Sequence, residues 1–282
     1  MVGGGSLSHA SLYGSIFHVK STPNAINIAY TSTELCPHQD LAYYESKPGL
    51  QLLHCVANDT SKIKGGESIL IDAMAAAYEF RSLAPHYFET LTKCNATFVK
   101  QREGAFMVYS RPHIQVKCHE SDKEHTEIVA VHWAPPFEGP LRIPAELIQP
   151  YFEAYSAFEL MVDKSINPQK RSIETGIDLS LALELSKYAN DYTWEYRLNP
   201  GEMIVFNNTR MLHGRRAFEE MSNVSIEATN HQGVYSRHLI GAYTNIDDSL
   251  NAYRTILKSK DIFRVIPNVG NGTGIIQAQN QK

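Results

Sequence analysis

A chain of 282 residues that is 43% hydrophobic and 20% charged has ordinary globular composition, which excludes wholesale disorder and a long coiled coil. Its 26 basic and 30 acidic side chains, a net charge of −4, leave no basic footprint for nucleic acid. No apolar run reaches the roughly 18–20 residues of a membrane span, and residues 1–9 carry neither a basic nor an apolar signal region, so a cytoplasmic protein without a membrane partner is expected.

Residues 1–10 read as a flexible Gly/Ser-rich leader, 11–265 as one domain, and 266–282 as a disordered Gln/Asn-rich tail. In chain order, Asn27–Tyr30 is the first candidate strand. Gln51–Val56 is apolar on both faces and reads as a central strand. Ser68–Asp72 is a strand after a Gly65-Gly66 turn, and Ala73–Leu83 has helix formers without Gly or Pro. The acidic stretch Glu120–Glu127 reads as a solvated loop. The strongest helix runs from Pro144, which suits a first helical position, to about Asp163; Leu147, Ile148, Tyr151, Phe152, Tyr155 and Phe158 recur at helical spacing. Tyr192, Trp194, Tyr196 and Leu198 alternate as a half-buried strand does, Asn199–Glu202 is a turn, and Met203–Phe206 reads as a buried strand. Strands interrupted by helices, with no βαβ rhythm, predict a mainly β protein with helical inserts, a sandwich or jelly roll.

The chemistry centres on His38-Gln39-Asp40. Alternate residues of an extended segment share a face, so one imidazole and one carboxylate point the same way. They are two of the three ligands of a facial triad, which binds iron(II) and leaves three positions open. Alone, such a pair is a weak signal. His213 is the candidate third ligand, at a strand-edge position before Gly214, where a hydrogen-bonded structural histidine is an equal reading. Arg237 is a charge inside an apolar, strand-like run; a buried guanidinium needs a partner, and a dicarboxylate is a good bidentate one. Four scattered cysteines without a CxxC pair argue against a zinc knuckle or a disulfide framework.

With these residues in view, the sequence resembles the Fe(II)/2-oxoglutarate dioxygenases of the taurine dioxygenase superfamily, and within it the γ-butyrobetaine and trimethyllysine hydroxylases. The resemblance runs in order through Asn27–Tyr30, the His38/Asp40 pair, Pro48–Cys55, Gly65–Ser68, Ile143-Pro144, Asn199–Glu202, Leu212–Arg216 and Ser236–Tyr243. It implies a catalytic double-stranded β-helix, a jelly roll, with Fe(II), 2-oxoglutarate and O2. It implies that His38, Asp40 and His213 bind the metal, that Arg237 and Ser68 hold the far carboxylate of 2-oxoglutarate, and that Leu53 lines the cosubstrate pocket. It places Tyr13, Phe17, Tyr30 and Tyr243 in an aromatic cage around a quaternary ammonium and Asn27 at a substrate-carboxylate contact; core packing is the competing reading of these aromatics. Phe17 stands where the family has a tryptophan, and Trp133–Pro140 replaces an Asn-rich segment that contacts the betaine carboxylate, with His132 or Trp133 near the Asn position. The expected reaction hydroxylates a small amine or betaine and releases succinate and CO2. Two alternatives stand beside it: a specialised-metabolism oxygenase with a remodelled pocket that desaturates or cyclises, and a catalytically silent binding protein. A homodimer is one option for its assembly.

Overall fold

A computed structural model describes residues 12–20, 30–102, 104–119, 122–221 and 236–260. The leader, the tail and Asn27 lie outside the described residues. The first half carries β1 (Phe17–Lys20), β2 (Leu35–His38), β3 (Leu50–Asn58), β4 (Ile63–Gly65), β5 (Ser68–Asp72), α1 (Ala73–Leu83), α2 (Pro85–Lys93), β6 (Asn95–Arg102), β7 (Ala105–Pro112), β8 (Ile114–His119) and β9 (Asp122–Val131). The second half carries α3 (Ile148–Val162), α4 (Pro168–Thr175), α5 (Leu179–Tyr192), β10 (Trp194–Tyr196), β11 (Met203–Asn207), β12 (Met211–Arg215), β13 (Phe218–Glu220), β14 (Arg237–Thr244) and α6 (Ile246–Ser259).

Two four-stranded antiparallel sheets organise the molecule, one ordered β1-β14-β3-β11 and the other β10-β5-β12-β2. In the first, the two-residue side-chain period sends Arg237, Leu239, Gly241 and Tyr243 of β14 inward together with Gln51, Leu53 and Cys55 of β3. Phe17 and Val19 of β1 pair with Gly241 and Leu239, and Ile204 of β11 pairs with Leu53. The second sheet supplies the facing wall. Its β5 and β12 also contribute Ile71 and Leu212 to the main apolar core, where they meet Phe80 of α1, Leu91 of α2, Phe158 of α3 and Leu185 of α5. The chain is therefore sheet-rich with helices packed against one sheet, as the mainly β reading expects.

Local chemistry explains the element ends. Asp72 caps α1 by accepting from the Ala75 N–H at 3.0 Å, and Pro85 opens α2 where its missing N–H costs nothing. The Asn199–Glu202 turn forms, with Gly201 at φ +91° and the Glu202 N–H donating to the Asn199 carbonyl at 3.0 Å.

Several expectations need correction. Pro144 does not open α3; it precedes a 3-10 turn over Ala145–Leu147, and the α-helix starts at Ile148. A helix continuous from Pro144 would place Pro150 in its interior, where the ring collides with the carbonyl four residues back; the break leaves Pro150 third in α3. Tyr192 ends α5 rather than starting a strand, so β10 is only Trp194–Tyr196. Residues Asp122–Glu127 belong to the β8–β9 hairpin, not to a loop. Met203–Phe206 is an edge strand with Met203 50% and Val205 41% exposed, because only its Ile204 and Phe206 face inward. The outer side of β3 is likewise only partly covered, so that strand is central but not buried on both faces.

Gly241 links the fold to the site. A Cβ built there would stand 2.1 Å from the Phe17 ring, which covers this glycine across the β1–β14 pair. Gly241→Ala is expected to push the ring aside and lower unfolding stability by about 1–3 kcal/mol, the usual cost of overpacking. Chemical denaturation checks this; an unchanged midpoint would mean that Phe17 moves freely.

Candidate active site

One cavity lies between the two sheets, with about 820 Å³ of empty space counting its mouth. Its wall contains His38 and Asp40, His213 and Arg215 of β12, Ser68 and Ile69 of β5, Gln51 and Leu53 of β3, Arg237 and Tyr243 of β14, and Tyr13, Phe17, Tyr30 and Phe137.

His38 and His213 meet because β2 and β12 are neighbours in register: they are direct cross-strand partners, with ring centroids 4.4 Å apart. His213 thus stands mid-strand between β5 and β2, not at an edge. Asp40 follows β2 by two residues and faces both rings. Its Oδ1 is 3.5 Å from His38 Nε2 and its Oδ2 3.6 Å from His213 Nε2. One ligand atom from each of the three residues lies within 4.8 Å of the others.

The surroundings prepare these groups for a cation. His38 Nδ1 pairs with the Cys36 carbonyl at 2.9 Å, which places the ring proton there and leaves Nε2 a lone pair. Burial pushes His213 down to about 4, so its imidazole is neutral at pH 7. Burial by itself would raise the Asp40 carboxyl; His213, His38 and the Tyr243 hydroxyl outweigh it and hold Asp40 below the ordinary carboxylate range. Tyr243 Oη and Gln51 Nε2 both donate to Asp40 Oδ2, at 2.6 and 2.8 Å. Asn208, fully buried, clamps the Asp40 backbone: its Oδ1 accepts from the Asp40 N–H at 2.9 Å and its Nδ2 donates to the Asp40 carbonyl at 3.0 Å. Two imidazoles and one ionised carboxylate, with no cationic side chain of lysine or arginine paired to that carboxylate among the described residues, fit an iron(II) ion in donor type.

Elsewhere on the wall, Arg237 is 6% exposed and its Nε has no hydrogen-bond partner among the described residues. Among the described residues no carboxylate pairs with it; burial and the nearby Arg197 push its guanidinium down to about 10. Gly66, at φ +80°, lies against it: a Cβ built there would stand 3.4 Å from the Nε. Arg215 is already engaged, donating to the Thr31 carbonyl at 2.9 Å and to the Thr33 carbonyl.

A sequence profile of the taurine catabolism dioxygenase TauD, TfdA family matches residues 4–243. The chain belongs to this family. Among curated relatives, dioxygenase str8 of Strobilurus tenacellus is 29% identical over 237 residues, covering 84% of this chain and 47% of that protein. The γ-butyrobetaine dioxygenase of Homo sapiens is 27% identical, covering 88% and 54%, and the human mitochondrial trimethyllysine dioxygenase 25%, covering 89% and 49%. The chain spans about half the length of the curated relatives it matches. A solved asparagine oxygenase in complex with Fe(II), 3-hydroxyasparagine and succinate shares its fold, with a TM-score of 0.50 and 16% identity over 82% of this chain and 57% of that one.

The structure brings His38, Asp40, His213, Arg237, Ser68, Leu53, Tyr13, Phe17, Tyr30 and Tyr243 to one cavity. It does not bring Trp133 there. Trp133 is 1% exposed and packs against Tyr155, Phe158 and His113, because it continues the buried run out of β9 into the helix-side core. Sequence reasoning passed over Gln51, Asn208 and Phe137. Only Asn208 carried a signal, a fully polar residue directly after an apolar strand.

Proposed function

We propose that this chain is an Fe(II)- and 2-oxoglutarate-dependent oxygenase on a double-stranded β-helix, and that it hydroxylates a small amine or betaine resembling γ-butyrobetaine, with release of succinate and CO2. One observation carries the reading: the three ligand residues, a buried arginine without a counter-charge among the described residues, and four aromatic rings share a single cavity between two antiparallel sheets. His38, Asp40 and His213 would hold the iron, which when bound supplies oxygen activation coupled to 2-oxoglutarate decarboxylation. Arg237 and Ser68 would hold the far carboxylate, and Leu53 and Leu239 would keep water from the cosubstrate. No helix among the described residues is long and apolar enough to cross a membrane.

The test is succinate formation with Fe(II), 2-oxoglutarate and each of γ-butyrobetaine, trimethyllysine and neutral amino acids. A cation should raise succinate above the uncoupled background; if none does, the betaine assignment is wrong. Tyr30 sharpens it. Cation–π attraction is worth up to about 2 kcal/mol when desolvated and needs a ring face. Tyr30→Leu should therefore weaken a betaine roughly tenfold more than a neutral analogue of equal shape, while Tyr30→Phe changes little. Equal losses for both ligands would leave Tyr30 a packing residue.

A specific observation favours a second reading, the specialised-metabolism oxygenase with a different substrate. Phe17 and Tyr243 stack on each other at 5.0 Å, Arg102 lies over Tyr13 at 5.5 Å, and Lys100 Nζ lies over Phe137 at 5.3 Å. Neither Lys100 nor Arg102 pairs with a carboxylate among the described residues, so several ring faces already meet a neighbour and the surroundings add positive charge. This reading predicts succinate formation with neutral or anionic compounds and none with the cations.

A further inference from the structure

Behind the triad, on the side away from the cavity, the chain buries a second polar cluster that the oxidation chemistry does not use. The alternation that points His38 and Asp40 together sends Gln39 the other way, where it is fully buried. The Gln39 N–H donates to the Trp133 carbonyl at 2.8 Å, and its Oε1 accepts from Lys47 Nζ at 2.9 Å. Lys47 is itself 8% exposed. Its ammonium also meets His132 Nδ1 at 2.9 Å and the Val131 carbonyl at 3.5 Å, and His132 Nε2 reaches Gln115 Oε1 at 3.3 Å. That geometry fits a neutral imidazole accepting at Nδ1 and donating at Nε2. No carboxylate pairs with Lys47 among the described residues.

A lysine buried without a counter-charge is costly, and its hydrogen bonds must offset that cost. Burial holds Lys47 well below its ordinary value, and Arg111 adds to the effect. The three consecutive motif residues are each held by a different partner. His38 is held by Cys36, Asp40 by Asn208, and Gln39 by Trp133 and Lys47. Releasing Gln39 would free the peptide units on both sides of it and change the angle between the two ligands.

We propose that Lys47 is a positioning residue which, through Gln39, sets the angle at which His38 and Asp40 meet a divalent metal. The inference rests on the metal reading of the triad. The experiment is a Co(II) titration of the full chain, followed by its visible ligand-field bands, in the wild type, Lys47→Met, Gln39→Leu and the double variant, with far-UV circular dichroism as the folding check. Each single variant should raise the Co(II) Kd at least tenfold and shift the bands. The double variant should lose no more than the worse single one, because both changes cut the same connection. Leu185→Ala, a core change in α5 that makes no hydrogen bond to the motif, should destabilise the chain yet keep the wild-type Kd. A Kd within twofold of wild type in a folded Lys47→Met chain, additive losses in the double variant, or an equal shift in Leu185→Ala overturns the positioning role while leaving the triad standing. If Lys47→Met does not fold, Gln39→Leu decides by the same criteria. A wild type that binds no Co(II) overturns the triad and the positioning role together.

Discussion

Asp40→Ala is expected to abolish 2-oxoglutarate turnover and leave a folded chain. Among the described residues Asp40 is the only carboxylate on the cavity wall, and it stands 3.5 and 3.6 Å from the two imidazoles. Without it, two neutral nitrogens face a dication with nothing to offset the charge, and the three-ligand set becomes a two-ligand one. His38→Ala and His213→Ala should do the same. The effect on folding should be moderate. Tyr243 and Gln51 lose their shared acceptor, which costs about 1–3 kcal/mol where a buried donor is stranded, but a buried charge is removed as well. The measurements are succinate release and Co(II) binding, alongside thermal unfolding. Full activity in an iron-supplied Asp40→Ala chain would dismiss the triad.

Gln51 and Tyr243 show what could and could not be read in the sequence. The His-x-Asp spacing placed two candidate ligands on one face without any fold, because alternation is a property of the chain itself. That His213 would be the cross-strand partner of His38, 175 positions earlier, depends on β2 adding beside β12, a long-range pairing that no local pattern encodes. Tyr243 was assigned to a cage for its ring, yet its hydroxyl donates to Asp40 and its ring stacks on Phe17. The strand misread at Met203–Phe206 has a related cause. An apolar run reports that burial is possible on both faces, whereas sheet order decides whether a neighbour covers the second face, and β11 is at the edge. Trp133 was misplaced because the chain turns from β9 into the helical layer just there. Arg237 was the most legible long-range residue, since a charge in an otherwise apolar strand has to be explained wherever the strand ends up.

Arg237→Ala is expected to raise the KM for 2-oxoglutarate at least tenfold, and much more than that of the prime substrate. Truncating one partner of a buried ion pair costs about 2–5 kcal/mol. Among the described residues the cavity wall offers two arginines for a dicarboxylate, Arg237 and Arg215. Arg215 spends its terminal nitrogens on the Thr31 and Thr33 carbonyls, and the adjacent Arg216 is taken by Glu34 and Glu195. Arg237 has no such partners among the described residues, and its buried Nε beside Gly66 is open to an incoming anion. Arg237→Lys should recover part of the loss, because it keeps the charge but not the planar two-point contact. Arg215→Ala should lower thermal stability, by releasing the segment around Thr31, with a smaller effect on the 2-oxoglutarate KM. Steady-state kinetics in 2-oxoglutarate for the three variants separate these outcomes. If the Arg215 change raises that KM while the Arg237 change does not, the far carboxylate binds at Arg215, and the Thr31 and Thr33 carbonyls must give up its guanidinium when the cosubstrate enters.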